Sequence, residues 1–377
     1  MTSTADREYR VIVHAASGST FAVGNPIVEF AHPKNIGYAE YLNDVGEAFF
    51  TIMQDDPNVQ TLRSYVGTAH VKILRNGSVM WRGILSEHEA TADDVIFYAY
   101  GYEGPLFWLQ TDWNQTWKDA QIDTIVTALW NRAKTDLTYS QLGFVTTGTI
   151  EAPVTTSGGA TPFVLPLYKV YFKRILFALK ELTAIATSDT TNVCYFQMDY
   201  SSSPTNNAVT FNFWKNRSTD RNIVLEHGVN VRNFEERYVP IMGRNDILGV
   251  GSGARNQLYR YRVTQQTGAA GYEAVGRRQE PVYLSWVRDE DDLQRVVRLR
   301  AARALRSDVD VSLYMMPDSL RPWRSGSSGY NLGDRVRVRI DRGVTQIDKL
   351  MMIVGQQVFA TRKHEVVIPI VQEKGGV

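Results

Sequence analysis

With 377 residues, 44% of them hydrophobic, the chain is long enough for about two to four packed units and too apolar for disorder. Its 41 Lys and Arg against 40 Asp and Glu leave a formal charge of +1, so there is no bulk electrostatic case for a nucleic-acid or anionic-membrane partner. The single cysteine, Cys194, excludes an intramolecular disulfide, and no apolar run reaches the roughly 18 residues of a membrane helix; a soluble, unprocessed product of a reducing compartment is expected.

The first hundred residues read as antiparallel sheet. Residues 9–14 alternate, 46–52 form a second strand, and Asp55-Asp56-Pro57-Asn58 breaks it. "VKILRNGSVMWRGIL" is a hairpin about Asn76-Gly77, a pair suited to a tight turn with positive φ at both positions. Asp93-Asp94 makes another turn before a long aromatic strand over 95–109, and the meander is expected to close into a small barrel or sandwich.

From residue 118, Ile122, Ile125, Val126, Leu129 and Ala133 recur at helical spacing. A Thr, Gly and Pro loop covers 145–162, after which Tyr171, Ile175, Ala178, Leu179, Leu182 and Ala186 share a helix face. Strands 194–200 and 208–214 flank "SSSPTNN" and complete an α+β unit.

Further along, "NDILGVGSG", "NQLYRYRVTQ" and "PVYLSWV" return to strand. A helix from Asp289 to about Arg306 carries acids first and bases last, complementing the helix dipole. A last meander spans 335–371. The meanders about Gly83 and Gly355 share an order: strand, glycine turn, glycine-containing strand, polar turn at Ala90-Thr91 or Ala360-Thr361, strand. Internal duplication is one reading; the general likeness of antiparallel meanders is the other.

Chemistry is hard to find. No phosphate loop is present, and "GVGSG" at 249–253 reads as a bulge or sharp bend. His14, His32, His70, His88, His227 and His364 are scattered without metal-ligand spacing, and no GxSxG elbow exists. Cys194, within a strand, reads as a small buried apolar residue. The pairs Asp55-Asp56, Asp93-Asp94, Glu235-Glu236 and Asp291-Asp292 are adjacent in sequence, which does not create the separation of about 5 to 10 Å that a glycosidase needs. No catalytic, cofactor-binding or metal-ligating residue is therefore named, no cofactor is expected, and the chain reads as no enzyme.

The arginines need separate weighing. Arg295, Arg298, Arg300, Arg303 and Arg306 lie opposite the apolar arc of their helix and read as a solvated or subunit-facing surface. Arg335, Arg337 and Arg339 alternate with Val336, Val338 and Ile340, so one face packs while the other meets water, a channel or a partner. Eight Trp and nineteen Tyr admit a carbohydrate-binding or hydrolysing protein with Trp108, Trp113 and Trp117 stacking on sugars; packing between the first sheet and the α+β unit is the preferred role for them.

The succession "YLNDVGEAFFTI…DDP…AHVKILRNGSVMWRGIL…DDVIFYAYGY" resembles the amino-terminal barrel of tailed-phage baseplate hub proteins. "YEAVGRRQEPVYLSWVRDEDDLQRVVRLRAARAL…YNLGDRVRVRI…IVGQQVFATRKHEVVIPI" is similar to that family's second half. The resemblance implies a siphophage-like tail tip hub related to contractile-phage hubs. Its fold would be mainly β with α+β insertions, as two antiparallel tube-like β-barrel domains plus two smaller α+β domains. Residues 1–108 with about 225–240 would form the first barrel and 109–224 an α+β insertion. Residues 241–271 with 329–377 would form the second barrel, and 272–328 a small α+β domain containing helix 289–306.

The same resemblance implies a homotrimer of pseudo-sixfold symmetry. It would join the tail tube or distal tail ring to the tip and close the DNA channel until ejection. Its partners would be the distal tail protein or tube ring, the tape measure protein and tail fibre or tip proteins, with DNA only as transient cargo and no membrane anchor. It would be a virion protein assembled in the host cytoplasm, receptor binding and wall degradation being left to other chains. Arg335, Arg337, Arg339 and their counterparts Lys72 and Arg75 would be polar faces of ring barrels, turned to the lumen or to adjoining subunits. A hexameric distal tail or tube-related ring protein is the alternative.

Overall fold

The computed structural model describes residues 8–18, 21–111, 114–135, 141–154, 162–189, 193–215, 219–239, 245–252, 258–264, 277–284, 287, 289–304, 308–316, 329–361 and 364–373. The first stretch holds β1 (Tyr9–Ser17), β2 (Ala22–Phe30), β3 (Asn35–Tyr41), β4 (Glu47–Met53), the one-turn helix α1 (Val59–Arg63), β5 (His70–Arg75), β6 (Ser78–Ala90) and β7 (Asp94–Gly101). Asn76 and Gly77 both take positive φ, 49° and 80°, as the β5–β6 turn requires. The aromatic strand stops at Gly101 rather than Leu109. Pro105 lies in the first turn of α2 (Gly104–Trp108), and Gly104 leaves the space that the Tyr100 ring occupies.

The middle stretch adds β8 (Gln115–Gln121), α3 (Ile122–Thr135), β9 (Thr146–Ile150), β10 (Val164–Val170), α4 (Ile175–Asp189), β11 (Cys194–Tyr200) and β12 (Val209–Lys215). β8 pairs with β10, and β11-β12-β9 forms a three-stranded sheet. The helical stripes bury as their spacing predicts: Ile122, Ile125, Val126, Leu129 and Ala133 of α3 meet Ile175, Ala178, Leu179, Leu182 and Ala186 of α4 in one core. Tyr171 is the exception, standing exposed before α4 begins. This core runs on into Ile84 and Tyr102, so the unit is seated on the first sheet.

The remainder comprises β13 (Asp220–Glu226), β14 (Val231–Val239), β15 (Asp246–Ser252), β16 (Leu258–Thr264), β17 (Gln279–Leu284), α5 (Glu290–Ala304), β18 (Asp308–Met315), β19 (Arg335–Arg342), β20 (Thr345–Thr361) and β21 (Glu365–Gln372). β16-β15-β17 is a separate sheet whose core with α5 contains Ile247, Leu284, Leu293 and Val297. Gly249 and Gly251 lie in a regular strand rather than a bend. A Cβ on Gly249 would stand 2.0 Å from Val297 Cγ2, so the glycines let α5 approach the sheet.

Thirteen strands form one large sheet, β14-β18-β21-β20-β3-β4-β7-β6-β5-β1-β2, with β19 on β20 and β13 on β19. It resolves into two modules of matching order, β3-β4-β7-β6-β5-β1 and β14-β18-β21-β20-β19-β13. In each, one long strand pairs its first part with the strand before it and its last part with the strand after it: β6 with β5 and β7, β20 with β19 and β21. The polar turns match at the level of hydrogen bonds. Thr91 N donates to Asp94 O at 2.8 Å and Asp94 N to Thr91 Oγ1 at 3.0 Å; Thr361 N donates to His364 O at 2.8 Å and His364 N to Thr361 Oγ1 at 3.0 Å. The modules differ at one end, where β1 lies antiparallel on β5 but β13 parallel on β19. They are fused where residues 355–361 of β20 run antiparallel to β3.

The fold is mainly β, but several expected boundaries move. Of residues 225–240, assigned to the first barrel, 225–226 belong to β13 and 231–239 to β14, and Leu225 and Val231 bury with Val336, Val338 and Met351 in the second module's core. Residues 241–271, assigned to the second barrel, supply β15 and β16 of the separate sheet. β18, placed in the small domain, pairs with β14 and β21 in the large sheet, because Val311 and Leu313 complete the second core. Among the described residues no ring of strand pairings closes into a barrel. Each module curls over a core of its own, the first lined by Val11, Phe50, Val71, Trp81 and Phe97.

Candidate functional site

Basic side chains were the sequence's sharpest signal, and the fold sorts them into buried and exposed sets. Lys72 of β5 and Arg82 of β6 are directly opposite across the hairpin and almost wholly buried, at 1% exposure each. Both reach the "SSSPTNN" loop between β11 and β12. Lys72 Nζ donates to Pro204 O at 2.9 Å and Asn207 Oδ1 at 2.6 Å; Arg82 Nη2 donates to Ser201 O at 3.0 Å and Ser203 O at 2.8 Å. Val79 N adds a backbone bond to Ser202 O at 2.8 Å. Uncharged carbonyls thus hold two desolvated cations, and charge-assisted hydrogen bonds offset part of the burial cost. Burial, then the Arg82 charge, pulls the Lys72 ammonium down to about 8.

On the same sheet face His70 is fully buried, with Nδ1 3.2 Å from Tyr102 Oη and Nε2 2.9 Å from Phe21 O. Burial lowers its pKa to about 4, and burial together with Lys72 lowers that of His14. These are packed structural histidines. His88 and His364, near turns as expected, are exposed.

Arg75 belongs to a second buried group. Its Nε lies 2.9 Å from Glu365 Oε1, its Nη2 donates to Glu365 Oε2 at 3.0 Å, and the Tyr9 hydroxyl donates to the same carboxylate. The pair ties β5 of the first module to β21 of the second. Lys72 and Arg75 are therefore not counterparts of the outward ladder. They bind parts of the chain to one another, because the face of β5 that carries Lys72 is covered by the middle unit.

Arg335, Arg337 and Arg339 do face outward, each with its side chain nearly half exposed. Acids flank them. Arg335 meets Asp220 of β13 at 2.5 Å; Arg337 forks onto Asp348 of β20 at 2.6 and 3.0 Å; Arg339 contacts Asp348 at 3.4 Å and Glu226 at 3.8 Å. Arg337 holds the Asp348 carboxyl below the usual range. Along α5, Arg298 donates to the Tyr261 hydroxyl at 2.9 Å. The side chains of Arg295, Arg300 and Arg303, and Arg306 altogether, lie outside the described residues.

The carboxylate pairs divide too. Asp55-Asp56 and Asp93-Asp94 come together around a cleft of about 950 Å³ that Glu29, His32, Lys34 and His364 also line. Lys34 pairs with Asp94 at 2.5 Å. Glu235-Glu236 lies apart on β14, and Asp291 on α5. Among the described residues no cluster has the make-up of a metal site. Of the tryptophans proposed for sugar stacking, Trp117 is buried in the middle core, Trp108 is half exposed against Tyr100, and Trp113 lies outside the described residues.

No protein-family model matches the sequence, and no curated protein does. The fold has clear relatives among solved structures. The 43 kDa tail protein of prophage MuSo2 from Shewanella oneidensis is similar with a TM-score of 0.58 at 12% identity, over 96% of this chain and 98% of that one. A tail protein from Neisseria meningitidis MC58 gives 0.57 at 12% identity, over 97% of both chains. The chain has the fold of these tail proteins. A chain of the Francisella PdpA–VgrG complex is similar at 0.55 and 7% identity, over 99% of this chain and 59% of that one.

A fold shared at this level of identity does not bring a function with it. Periodicity alone did not single out Arg82, Glu365 or His70. Arg82 sits in the quoted "MWRGIL" run, but the Asn76-Gly77 turn alone would set Trp81 opposite Lys72; a one-residue register shift between Leu74 and Ile73, which the sequence did not signal, brings Arg82 there instead. Glu365 has no local signal at all.

Proposed function

We propose that this chain is a structural component of a phage tail, a hub at the tail tip that acts as a homotrimer. The observation that carries the reading is the duplicated module. One chain holds two six-stranded units of the same order, fused edge to edge, so three chains would present six near-equivalent units to a sixfold tube. Relatives of the same fold described as tail proteins support it. In this reading the hub joins the tail tube or distal tail ring to the tip and closes the DNA channel until ejection. The distal tail protein or tube ring, the tape measure protein and the fibre or tip proteins are its neighbours, and DNA is transient cargo. The role is assembly without turnover, in the virion after assembly in the host cytoplasm.

Native mass spectrometry of the full chain, alone and with neighbouring tail proteins, tests this reading. A trimer, free or formed only on a partner ring, is expected. A hexamer would assign the chain to a distal tail or tube-related ring instead, and a persistent monomer would overturn the hub.

A further inference from the structure

The seam inside the chain has an unfilled twin. Residues 355–360 of β20 pair on one side with β21 and on the other with β3. In the first module β6 stands where β20 stands, yet residues 87–90 pair only with β7 among the described residues. In the second module β14 stands where β3 stands, and among the described residues it ends the sheet with β18 as its only strand partner. Each chain therefore carries both halves of a second β20–β3 type seam, the end of β6 in the first module and β14 in the second, whose outer edges meet no other strand among the described residues.

We infer that β6 of one copy pairs antiparallel with β14 of the next, repeating the β20–β3 seam between chains. This inference rests on the trimeric reading and specifies its contact. A head-to-tail contact of this kind is heterologous and forms a ring only where its rotation closes; in the trimeric reading three copies close it, giving six alternating seams.

Register follows from the internal repeat. The matched turns equate Ala90 with Ala360, hence Glu87 with Gln357 and Glu89 with Phe359. The pairings Ala39↔Glu47↔Tyr100 and Glu235↔Ser312↔Ile370 equate Ala39 with Glu235, hence Gly37 with Asn233. Because Phe359 pairs with Gly37 and Gln357 with Ala39, Glu89 is set opposite Asn233 and Glu87 opposite Glu235. Facing is consistent as well. Phe234 packs against the second module's core, and His88 lies 5.8 Å from the Phe97 ring of the first, so the core sides of both strands coincide. The Glu87–Glu235 opposition is unfavourable, and Arg237, diagonal to Glu87, offsets it. Residues 87–90, Arg232, Asn233, Glu235 and Arg237 are all exposed in the single chain.

Paired cysteines test this contact. The variant carrying both Glu89→Cys and Asn233→Cys, assembled as full chain and treated with copper–phenanthroline to oxidise adjacent thiols, should run as a covalent trimer on a non-reducing gel, while each single variant stays at monomer size. Cys194 is buried and supplies the background control. A trimer in native mass spectrometry that does not cross-link would overturn the seam and leave the hub standing. Closed cross-linked hexamers would keep the seam and overturn the trimer. A monomer under every condition, including on the partner ring, would overturn both. As a second measurement, Glu235→Lys should slow dissociation of the ring several-fold by replacing the like-charge opposition; faster dissociation would contradict this register.

Discussion

Arg75 on β5 and Glu365 on β21 meet across 290 positions of chain, Nε 2.9 Å from Oε1 and Nη2 3.0 Å from Oε2, with both side chains less than a tenth exposed. One charge-assisted hydrogen bond, from Nη2, and a second close ionic contact at Nε hold this pair together. It sits where β1 and β5 of the first module come against β21 of the second, beside the Tyr9 and Tyr38 rings, whose hydroxyls burial pushes far upward in pKa. It therefore links the two modules through side chains as well as through the β20–β3 pairing.

Breaking this pair should cost more than removing it. Glu365→Gln leaves a buried guanidinium without its counter-charge, and about 3 to 5 kcal/mol of unfolding free energy is expected to be lost. Adding Arg75→Met to that variant should restore a measurable part. Urea unfolding of both variants checks this, and additive losses would contradict coupling.

Acid should loosen the chain through His70. Its folded pKa of about 4 lies below the ordinary 6.5, so between those pH values the unfolded chain binds a proton that the folded chain refuses. Stability is expected to fall as pH drops from 6.5 to 4, by roughly 3 kcal/mol from this group at most. His14, lowered in the same direction, adds to the slope. Melting temperature against pH for the parent and for His70→Phe tests this, the variant being flatter.

Lys72 gives the opposite end of the pH scale. Its folded pKa of about 8 lies below the ordinary 10.5, so the unfolded chain again binds more protons between these values. Stability contributed through Lys72 should rise as pH climbs through about 8, until both states are neutral. Lys72→Met should remove that rise and, by leaving Pro204 O and Asn207 Oδ1 without their donor, should weaken docking of the 201–207 loop. Faster amide exchange in β11 and β12 of the variant is the expected readout.

The outward ladder should matter little to the isolated chain. Exposed ion pairs are screened and weak, so Arg337→Ala should leave the melting temperature of the monomeric fold almost unchanged. If neighbouring subunits use this face, the same variant will lower the yield of assembled rings, which sedimentation would detect.

Gly249→Val should act locally. Its Cβ would begin 2.0 Å from Val297 Cγ2, and overpacking of this kind costs about 1 to 3 kcal/mol. Exchange protection should drop along α5 and β15 while the thirteen-stranded sheet keeps its own.

Patterns local in sequence were legible because their causes are local. The Asn76-Gly77 turn follows from two residues that tolerate positive φ, and the α3 and α4 stripes follow from 3.6-residue periodicity. The two Ala-Thr turns pointed to duplication because the Thr side chain itself caps each turn. Boundaries failed where a segment's partner is distant: β13, β14 and β18 look alike as isolated strands, and only the cores that accept Leu225, Val231 and Val311 assign them.

The chain's own letters thus determined that it is mainly β, where its tight turns fall, and which helix faces are apolar. Tertiary structure alone decided that Lys72 and Arg75 are buried while Arg335, Arg337 and Arg339 are not, though all five sit on alternating strands. Strand alternation sets which residues share a face, but whether that face meets water depends on what packs over it. Here the covering layers are the 201–207 loop over Lys72 and β21 beside Arg75, segments about 130 and 290 positions away.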